Sequence, residues 1–214
     1  MFTGLVQKTG SLAEIVKRAG GASIAVTHED WDTPVTVGES IAVHGVCLTV
    51  ARGEPGKFQC DILEETVRRT NLGSKARGAV LNLERALLPT DRIGGHFVLG
   101  HVDGTGRVDR ITEAGADYAL EIACGDDILR TLAPKGSIAC DGISLTIAAL
   151  LPQSFEVHIV PVTWRQTAVA ALKPGDTVNL ETDIIGKYVW RRLSAAGGRK
   201  EIDLDDLRNA GFPV

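Results

Sequence analysis

Short runs of apolar and polar residues, separated by glycine-containing turns, recur along the whole chain. Residues 58–63 alternate with the period of two that is typical of a half-buried strand. β-Branched residues are frequent in residues 41–43 and 47–50, on either side of a turn at Gly45. Residues 173–176 read Lys-Pro-Gly-Asp, a turn signal directly before another apolar run. The pattern predicts an all-β chain built of short strands.

The second half of the chain repeats the first. Residues 40–50 and 137–147 are identical at six of eleven positions when they are aligned with an offset of 97. The same offset places Asn82 on Asn179, and near the chain start the offset is 96. One register held over this length predicts a tandem duplication with its boundary near residues 89–94.

Each half is long enough for one small domain. Short strands divided by glycine turns in a segment of this length predict a small closed barrel. Residues 64–71 and 126–132 suit short helices, and residues 201–211 fit another one, ended by Gly211. An apolar stripe of Ile185, Val189 and Leu193 predicts a longer helix near the end. We therefore predict barrels at residues 1–93 and 94–183, and a helical segment with a tail at residues 184–214.

Composition and charge narrow the class of protein. The 214 residues are 44% apolar with a net charge of −4. The sequence lacks a basic stripe, so nucleic acid is not an expected partner. No apolar run approaches membrane-spanning length, and the start lacks the pattern of a signal peptide. The four cysteines form no C-x-x-C pair, so we expect no metal site. Their small number also predicts a reducing, cytoplasmic location.

Five motifs occur in a fixed order in the two halves. Residues 1–4 read MFTG, residues 45–49 GVCLT, residues 65–72 ETVRRTNL, residues 94–104 GGHFVLGHVDG and residues 141–146 DGISLT. Each is weak alone, but together they closely resemble the riboflavin synthase family, from Met1 to about Leu193.

The resemblance implies two similar six-stranded Greek-key barrels and a C-terminal helix that assembles a homotrimer. It implies the dismutation of two molecules of 6,7-dimethyl-8-ribityllumazine, with no metal or organic cofactor. One molecule donates a four-carbon unit to the other, which yields riboflavin and 5-amino-6-ribitylamino-uracil. In some relatives a lumazine synthase capsid encloses the trimer. A duplicated domain suits this chemistry, because it supplies two pockets for two copies of one substrate.

The two halves differ where chemistry is expected. Cys47 corresponds to Ser144, and Leu5 corresponds to His101. A Cys in an apolar run is commonly a buried small hydrophobe, but the matched motif makes Cys47 a candidate to add to, or orient, the substrate ring. His101 suits proton transfer, since its ordinary pKa lies near neutrality. The predicted catalytic residues are Cys47, His101, Ser40, Thr49, Ser144 and Asp183.

The resemblance also implies the pocket linings, in which each half lends its opening strand to the other half's site. The first pocket uses residues 47–49, 61–66 and 100–102, and the second uses residues 4–6, 144–146 and 158–163. The predicted substrate contacts are Phe2, Gly4, Leu5, Val6, Leu48, Asp61, Ile62, Leu63, Glu64, Glu65, Thr66, Gly100, Val102, Lys135, Leu145, Thr146, His158, Ile159, Val160, Pro161, Val162 and Thr163.

Several of these residues have a plain structural interpretation beside the functional one. Asp183 also fits the N-cap of the following helix, and Lys135 also fits a solvated surface. Among the other histidines, His96 is expected to pack or cap. His44 is expected to face solvent from a turn, and His28 to lie in an exposed loop.

Two other functions compete with catalysis. A non-catalytic antenna protein that binds lumazine or flavin would share the duplicated barrels, but Phe2, Thr3, Cys47 and His101 favour the enzyme. A flavin-binding reductase domain would need a dinucleotide-binding βαβ unit, and residues 104–106 lack the helix that should follow such a glycine turn.

Overall fold

The computed structural model describes residues 1–196, and the predicted helix at 201–211 lies outside them. The first six strands close into an antiparallel barrel in the order β1-β2-β5-β4-β3-β6. Helix α1 (Glu64–Arg69) and a 3-10 turn (Asn71–Ser74) connect the last two strands. The strands are β1 (Lys8–Arg18), β2 (Gly21–His28), β3 (Ser40–Val43), β4 (Val46–Glu54), β5 (Lys57–Leu63) and β6 (Val80–Arg85).

The second barrel repeats this topology in the order β7-β8-β11-β10-β9-β12. Its connections hold α2 (Asp126–Leu129), α3 (Pro161–Gln166) and a 3-10 turn (Ala168–Ala171), and α4 (Ile184–Ala196) follows it. The strands are β7 (Gly104–Ala114), β8 (Asp117–Ala123), β9 (Ser137–Cys140), β10 (Ile143–Leu150), β11 (Ser154–Ile159) and β12 (Thr177–Thr182). The predicted fold class is confirmed. Helix α1 ends at Arg69 instead of residue 71, and α2 ends at Leu129 instead of residue 132.

Each barrel has its own apolar core, built from every second residue of its strands. Phe58 of β5 and Phe155 of β11 occupy matching positions and are almost completely buried. Along β5 the buried residues Phe58, Cys60 and Ile62 alternate with more exposed ones. The alternation seen in the sequence therefore marks the inner face of the barrel.

An approximate two-fold axis relates the barrels, and backbone contacts lie on it. Phe2 and Val98, which correspond in the repeat, exchange backbone hydrogen bonds of 2.7 and 3.1 Å. The turns at Gly45 and Gly142 also meet, so closely that a Cβ on Gly45 would lie 2.6 Å from the Gly142 nitrogen. Any side chain at either position would push the barrels apart.

A polar network is buried beside these turns. His44 Nε2 lies 3.1 Å from Asp141 Oδ2, and their side chains are only 1% and 5% exposed. The Asn82 backbone N–H donates to His44 Nδ1 at 3.3 Å, and the Asn179 N–H donates to Asp141 Oδ1 at 2.7 Å. The prediction that His44 faces solvent is wrong, because the second barrel covers the turn that carries it.

His28 also departs from its predicted place. It is the last residue of β2, and its ring contacts Trp31 and Phe58 with centroid distances of 4.7 and 5.5 Å. The expectation of an exposed loop is therefore wrong, because the strand extends further than its polar sequence suggests.

We predict that Phe2→Ala destabilises the protein by about 3–5 kcal/mol, because it leaves a cavity at the contact between the barrels. Phe2 is 0% exposed, whereas nearby Phe97 is 39% exposed. Phe97→Ala is therefore the matched control and should cost about 1 kcal/mol or less. Urea unfolding of both variants measures the difference, and equal losses would contradict this account of the interface.

Candidate active site

The opening segment of each half crosses to the other barrel. The Ser144 N–H donates to the Gly4 carbonyl at 2.8 Å, and the Cys47 N–H donates to the Gly100 carbonyl at 2.9 Å. Val6 packs against the core of the second barrel. The opening segment of each half therefore lies against strand ends of the other barrel.

Two buried glutamates hold the opening segments in place. Glu84 accepts hydrogen bonds from the Thr3 and Gly4 N–H groups at 2.7 and 2.9 Å. Glu181, its counterpart, accepts from Leu99 and Gly100 at 2.7 and 2.9 Å. Burial raises the pKa of both carboxyl groups, and the hydrogen bonds act in the opposite direction. The repeat offset of 97 also aligns Glu84 with Glu181, but sequence reasoning gave them no role.

The crossing at the first pocket requires glycine. Gly100 has a φ of +77°, and a Cβ on it would lie 2.4 Å from Cys47 Cβ. The absent side chain lets the segment that carries His101 reach the end of β4, where Cys47 lies.

A cavity of about 480 Å³ opens at this crossing. Helix α4 contributes Lys187, whose Nζ lies 2.7 Å from Asp103 Oδ1. Sequence reasoning missed Arg69, Asp103 and Lys187, since nothing local in the chain places α1 and α4 at one pocket. The predicted residues that line the cavity are Cys47, Glu65, Thr66, Gly100, His101 and Val102.

Cys47 is the thiol that this cavity presents. Burial raises the pKa of Cys60 to about 12 and that of Cys124 to about 11, and it also raises the pKa of Cys140. Those three thiols are therefore poor sources of thiolate near neutral pH. Cys47 is half-buried and borders the cavity.

The matching place in the second barrel is chemically different. His96 Nδ1 lies 2.7 Å from Ser144 Oγ, and the His96 N–H donates to the Thr3 carbonyl at 3.1 Å. Burial lowers the pKa of His96, and the Asp183 carboxylate acts in the opposite direction. His96 thus packs as predicted, and it gives the Ser144 hydroxyl a neutral imidazole as its partner.

Two candidate residues follow their structural interpretation. The Asp183 carboxylate accepts the Ile185 N–H at 2.9 Å and so caps α4. It also borders a second cavity, of about 370 Å³, between α4 and residues 130–137. Lys135 is exposed in a turn with a φ of +63°, and its N–H donates to the Ile147 carbonyl at 3.0 Å.

Some predicted contacts have side chains that point away from any pocket. Because side chains alternate along a strand, these residues lie in the cores or between the barrels, and a ligand could meet only their backbones. They are Phe2, Leu48, Ile62, Leu145 and Ile159.

The remaining candidates lie on the strand surfaces and around α1 and α3. Ser40 pairs with Thr49, and Thr146 pairs with Ser137 at the matching place. Asp61 contacts Arg18 at 3.4 Å, and His158 Nε2 contacts Glu156 at 3.0 Å.

Glu64 is exposed, and Pro161 and Thr163 are half-buried. Four apolar candidates are exposed, namely Leu5, Leu63, Val160 and Val162.

Comparisons with known proteins agree with this architecture. The Lumazine binding domain family matches residues 3–86 and 99–183. The chain is 40% identical to the riboflavin synthase of Actinobacillus pleuropneumoniae, over 99% of this chain and all of the relative. It is 39% identical to that of Bacillus subtilis (strain 168), over 94% and 93% of the two chains. The fold and its paired sites define a protein with two lumazine-binding domains. Within that class, the chain belongs to the riboflavin synthase family.

Solved structures share the fold at lower identity. LumP complexed with riboflavin superposes with a TM-score of 0.77 and 24% identity, over 85% of this chain and 99% of LumP. LumP complexed with 6,7-dimethyl-8-(1'-D-ribityl) lumazine gives a TM-score of 0.75 at the same identity and coverage.

Residues 1–196 show neither a metal site nor a membrane-spanning helix. No group of three or more His, Cys, Asp or Glu side chains there could hold a metal ion. None of the helices in that part of the chain is long and apolar enough to cross a membrane.

We predict that Gly100→Ala destabilises the protein more than Gly20→Ala does. Both glycines have a positive φ, but a Cβ on Gly20 meets nothing within 4 Å. Gly20→Ala should therefore cost about 1–2 kcal/mol for the left-handed backbone alone. Gly100→Ala should add about 1–3 kcal/mol from the clash with Cys47. Urea unfolding measures both, and equal values would contradict the close crossing.

Proposed function

We propose that the chain catalyses the dismutation of two 6,7-dimethyl-8-ribityllumazine molecules. A four-carbon unit passes from one molecule to the other, and the products are riboflavin and 5-amino-6-ribitylamino-uracil. The observation that carries the proposal is the first cavity, where Cys47 of one barrel and His101 of the other half border the same space.

The groups at the cavity suit the chemistry of this reaction. It requires removal of a proton from a methyl group and addition of a nucleophile to the lumazine ring. The proposed role of His101 is proton transfer, and that of Cys47 is to add to the ring or to orient it. Ser40, Thr49 and Thr146 supply hydroxyl groups for the ring edge and the ribityl chain.

The two sites have unlike chemistry, which fits unlike roles for two copies of one substrate. The Cys47 site is an open cavity with charged groups, whereas the Ser144 hydroxyl contacts His96 Nδ1. We assign one substrate to each barrel. Holding both in register removes much of the entropic cost of a reaction between two molecules.

We further propose a homotrimer in which the first barrel of one chain faces the second barrel of its neighbour. Helix α4 supports this assembly, because several of its apolar side chains remain exposed in the described chain. Its apolar residues are between 41% and 69% exposed, namely Ile185, Tyr188, Val189, Trp190 and Leu193. A face of this kind is typical of a protein interface.

Two further expectations concern the location of the protein and a partner protein. All four cysteines, which lie within the described residues, are unpaired, and this supports a reducing compartment such as the cytoplasm. Association with lumazine synthase rests on the family resemblance alone.

The purified protein, incubated with the lumazine in the presence of a metal chelator, should develop flavin absorbance. His101→Gln should lower kcat by about 100-fold, because it removes a proton-transfer group. His28→Gln is the control, since His28 lies outside the first cavity, and should keep its kcat. Tight lumazine binding by the wild type without flavin formation would favour the antenna function instead.

Val189→Glu should convert the trimer to monomers, because it places a charge in the apolar face of α4. Val189→Leu keeps the same position apolar and should leave the assembly intact. Light scattering measures the mass, and initial rates should fall at least about tenfold in the monomer, as expected when reactants lose their relative placement. A monomer with full turnover would exclude a site between subunits.

A further inference from the structure

The mouth of the first cavity holds two cationic side chains, Arg69 and Lys187, and each contacts a carboxylate. Glu65 Oε1 lies 2.6 Å from Arg69 Nε, and its other oxygen accepts a hydrogen bond from Arg68. On the opposite side, Lys187 Nζ lies 2.7 Å from Asp103 Oδ1. The cavity therefore meets a ligand with its charges already paired.

The Glu65 carboxylate is ionised, and it accepts hydrogen bonds from both arginines. Hydrogen bonds from Arg69 and Arg68 lower the pKa of Glu65. Glu65 and, more weakly, Asp103 raise the pKa of Arg69, so this guanidinium lies within reach of both acidic groups at the cavity. The side chains of Glu65 and Arg69 are 52% and 56% exposed, which places the pair at the solvent-facing rim.

The second barrel does not carry this arrangement. At the repeat offset of 97, Val162 corresponds to Glu65 and Gln166 to Arg69. Arg165 keeps the cation of Arg68, but it has no acidic partner at the matching position. The rim of paired charges is thus a property of the first site and not of the shared barrel fold.

An arginine that is already paired with a carboxylate binds different ligands from an unpaired arginine. A ribityl chain ends in a neutral hydroxyl, whereas its phosphorylated counterpart carries about −1.5 to −2 charges at neutral pH. Free guanidinium groups bind phosphate oxygens through two parallel hydrogen bonds. The Glu65 carboxylate takes the Nε–H of Arg69, and its negative charge beside the guanidinium repels a phosphate.

We infer that Glu65 is a specificity-determining residue that excludes ligands with a phosphate on the ribityl chain from the first cavity. Its carboxylate is paired with Arg69 at the cavity mouth, so the cavity accepts the free polyol and rejects the phosphate ester. The inference rests on the proposed function, because it takes a ribityl-bearing ligand as the occupant of this cavity.

The test compares riboflavin with flavin mononucleotide, which differ only in the terminal phosphate. Quenching of flavin fluorescence gives the Kd of each for the full-length protein. The wild type should bind riboflavin more tightly. Glu65→Gln should shift the ratio of the two Kd values about tenfold toward flavin mononucleotide, and high salt should reduce this shift because the new attraction is between exposed charges.

Two further variants separate a local effect from a general one. Glu14→Gln removes one exposed carboxylate from β1 of the same barrel, outside the cavity, and should leave the ratio unchanged. Arg69→Ala added to Glu65→Gln should abolish most of the shift. An unchanged ratio in Glu65→Gln, or an equal shift in Glu14→Gln, would overturn the inference.

The design also separates this inference from the proposed function. A wild type that forms riboflavin but shows no effect of Glu65→Gln on the ratio overturns the specificity role and leaves the activity standing. A wild type that neither forms nor binds riboflavin overturns both.

Discussion

Gly45 and Gly142 allow two backbone turns to meet on the approximate two-fold axis, and the placement of both barrels depends on that contact. A Cβ on Gly142 would lie 2.8 Å from the Gly45 nitrogen, so the barrels could not approach with any other residue there. The contact buries His44 and Asp141 beside the turns, and buried polar groups of this kind are costly unless they are partnered. Backbone N–H groups of both barrels supply those partners. The interface thus determines the register between the two barrels as well as their distance.

This fixed register makes the exchange of opening segments possible. Each segment is tethered by a glutamate at the end of its own barrel, Glu84 or Glu181, and then lies against the other barrel. Cys47 and His101 come from different halves and border one cavity as a result. A single half would hold only part of each site, which explains why the two barrels act as one functional unit. The interface between the barrels, and not either barrel alone, therefore determines the geometry of the site.

Duplication produced two sites of equal topology, and substitution made them chemically unequal. The first presents a half-buried thiol in an open cavity rimmed by paired charges. The second presents the Ser144 hydroxyl, whose oxygen lies 2.7 Å from His96 Nδ1. Two identical substrate molecules thus meet different surroundings, which is what a dismutation needs if one molecule is to donate and the other to accept.

The sequence by itself determined the repeat, the strand content and the candidate segments, because strand alternation and an internal offset are local or directly comparable signals. It also placed Cys47 and His101 at one site through the motifs of the family. Only the tertiary structure decided that His44 is buried, that Ile62 and Ile159 face the cores, and that Arg69 and Lys187 border the cavity. These facts depend on the contact between barrels and on where α1 and α4 pack. Such long-range packing leaves no periodic trace in the chain.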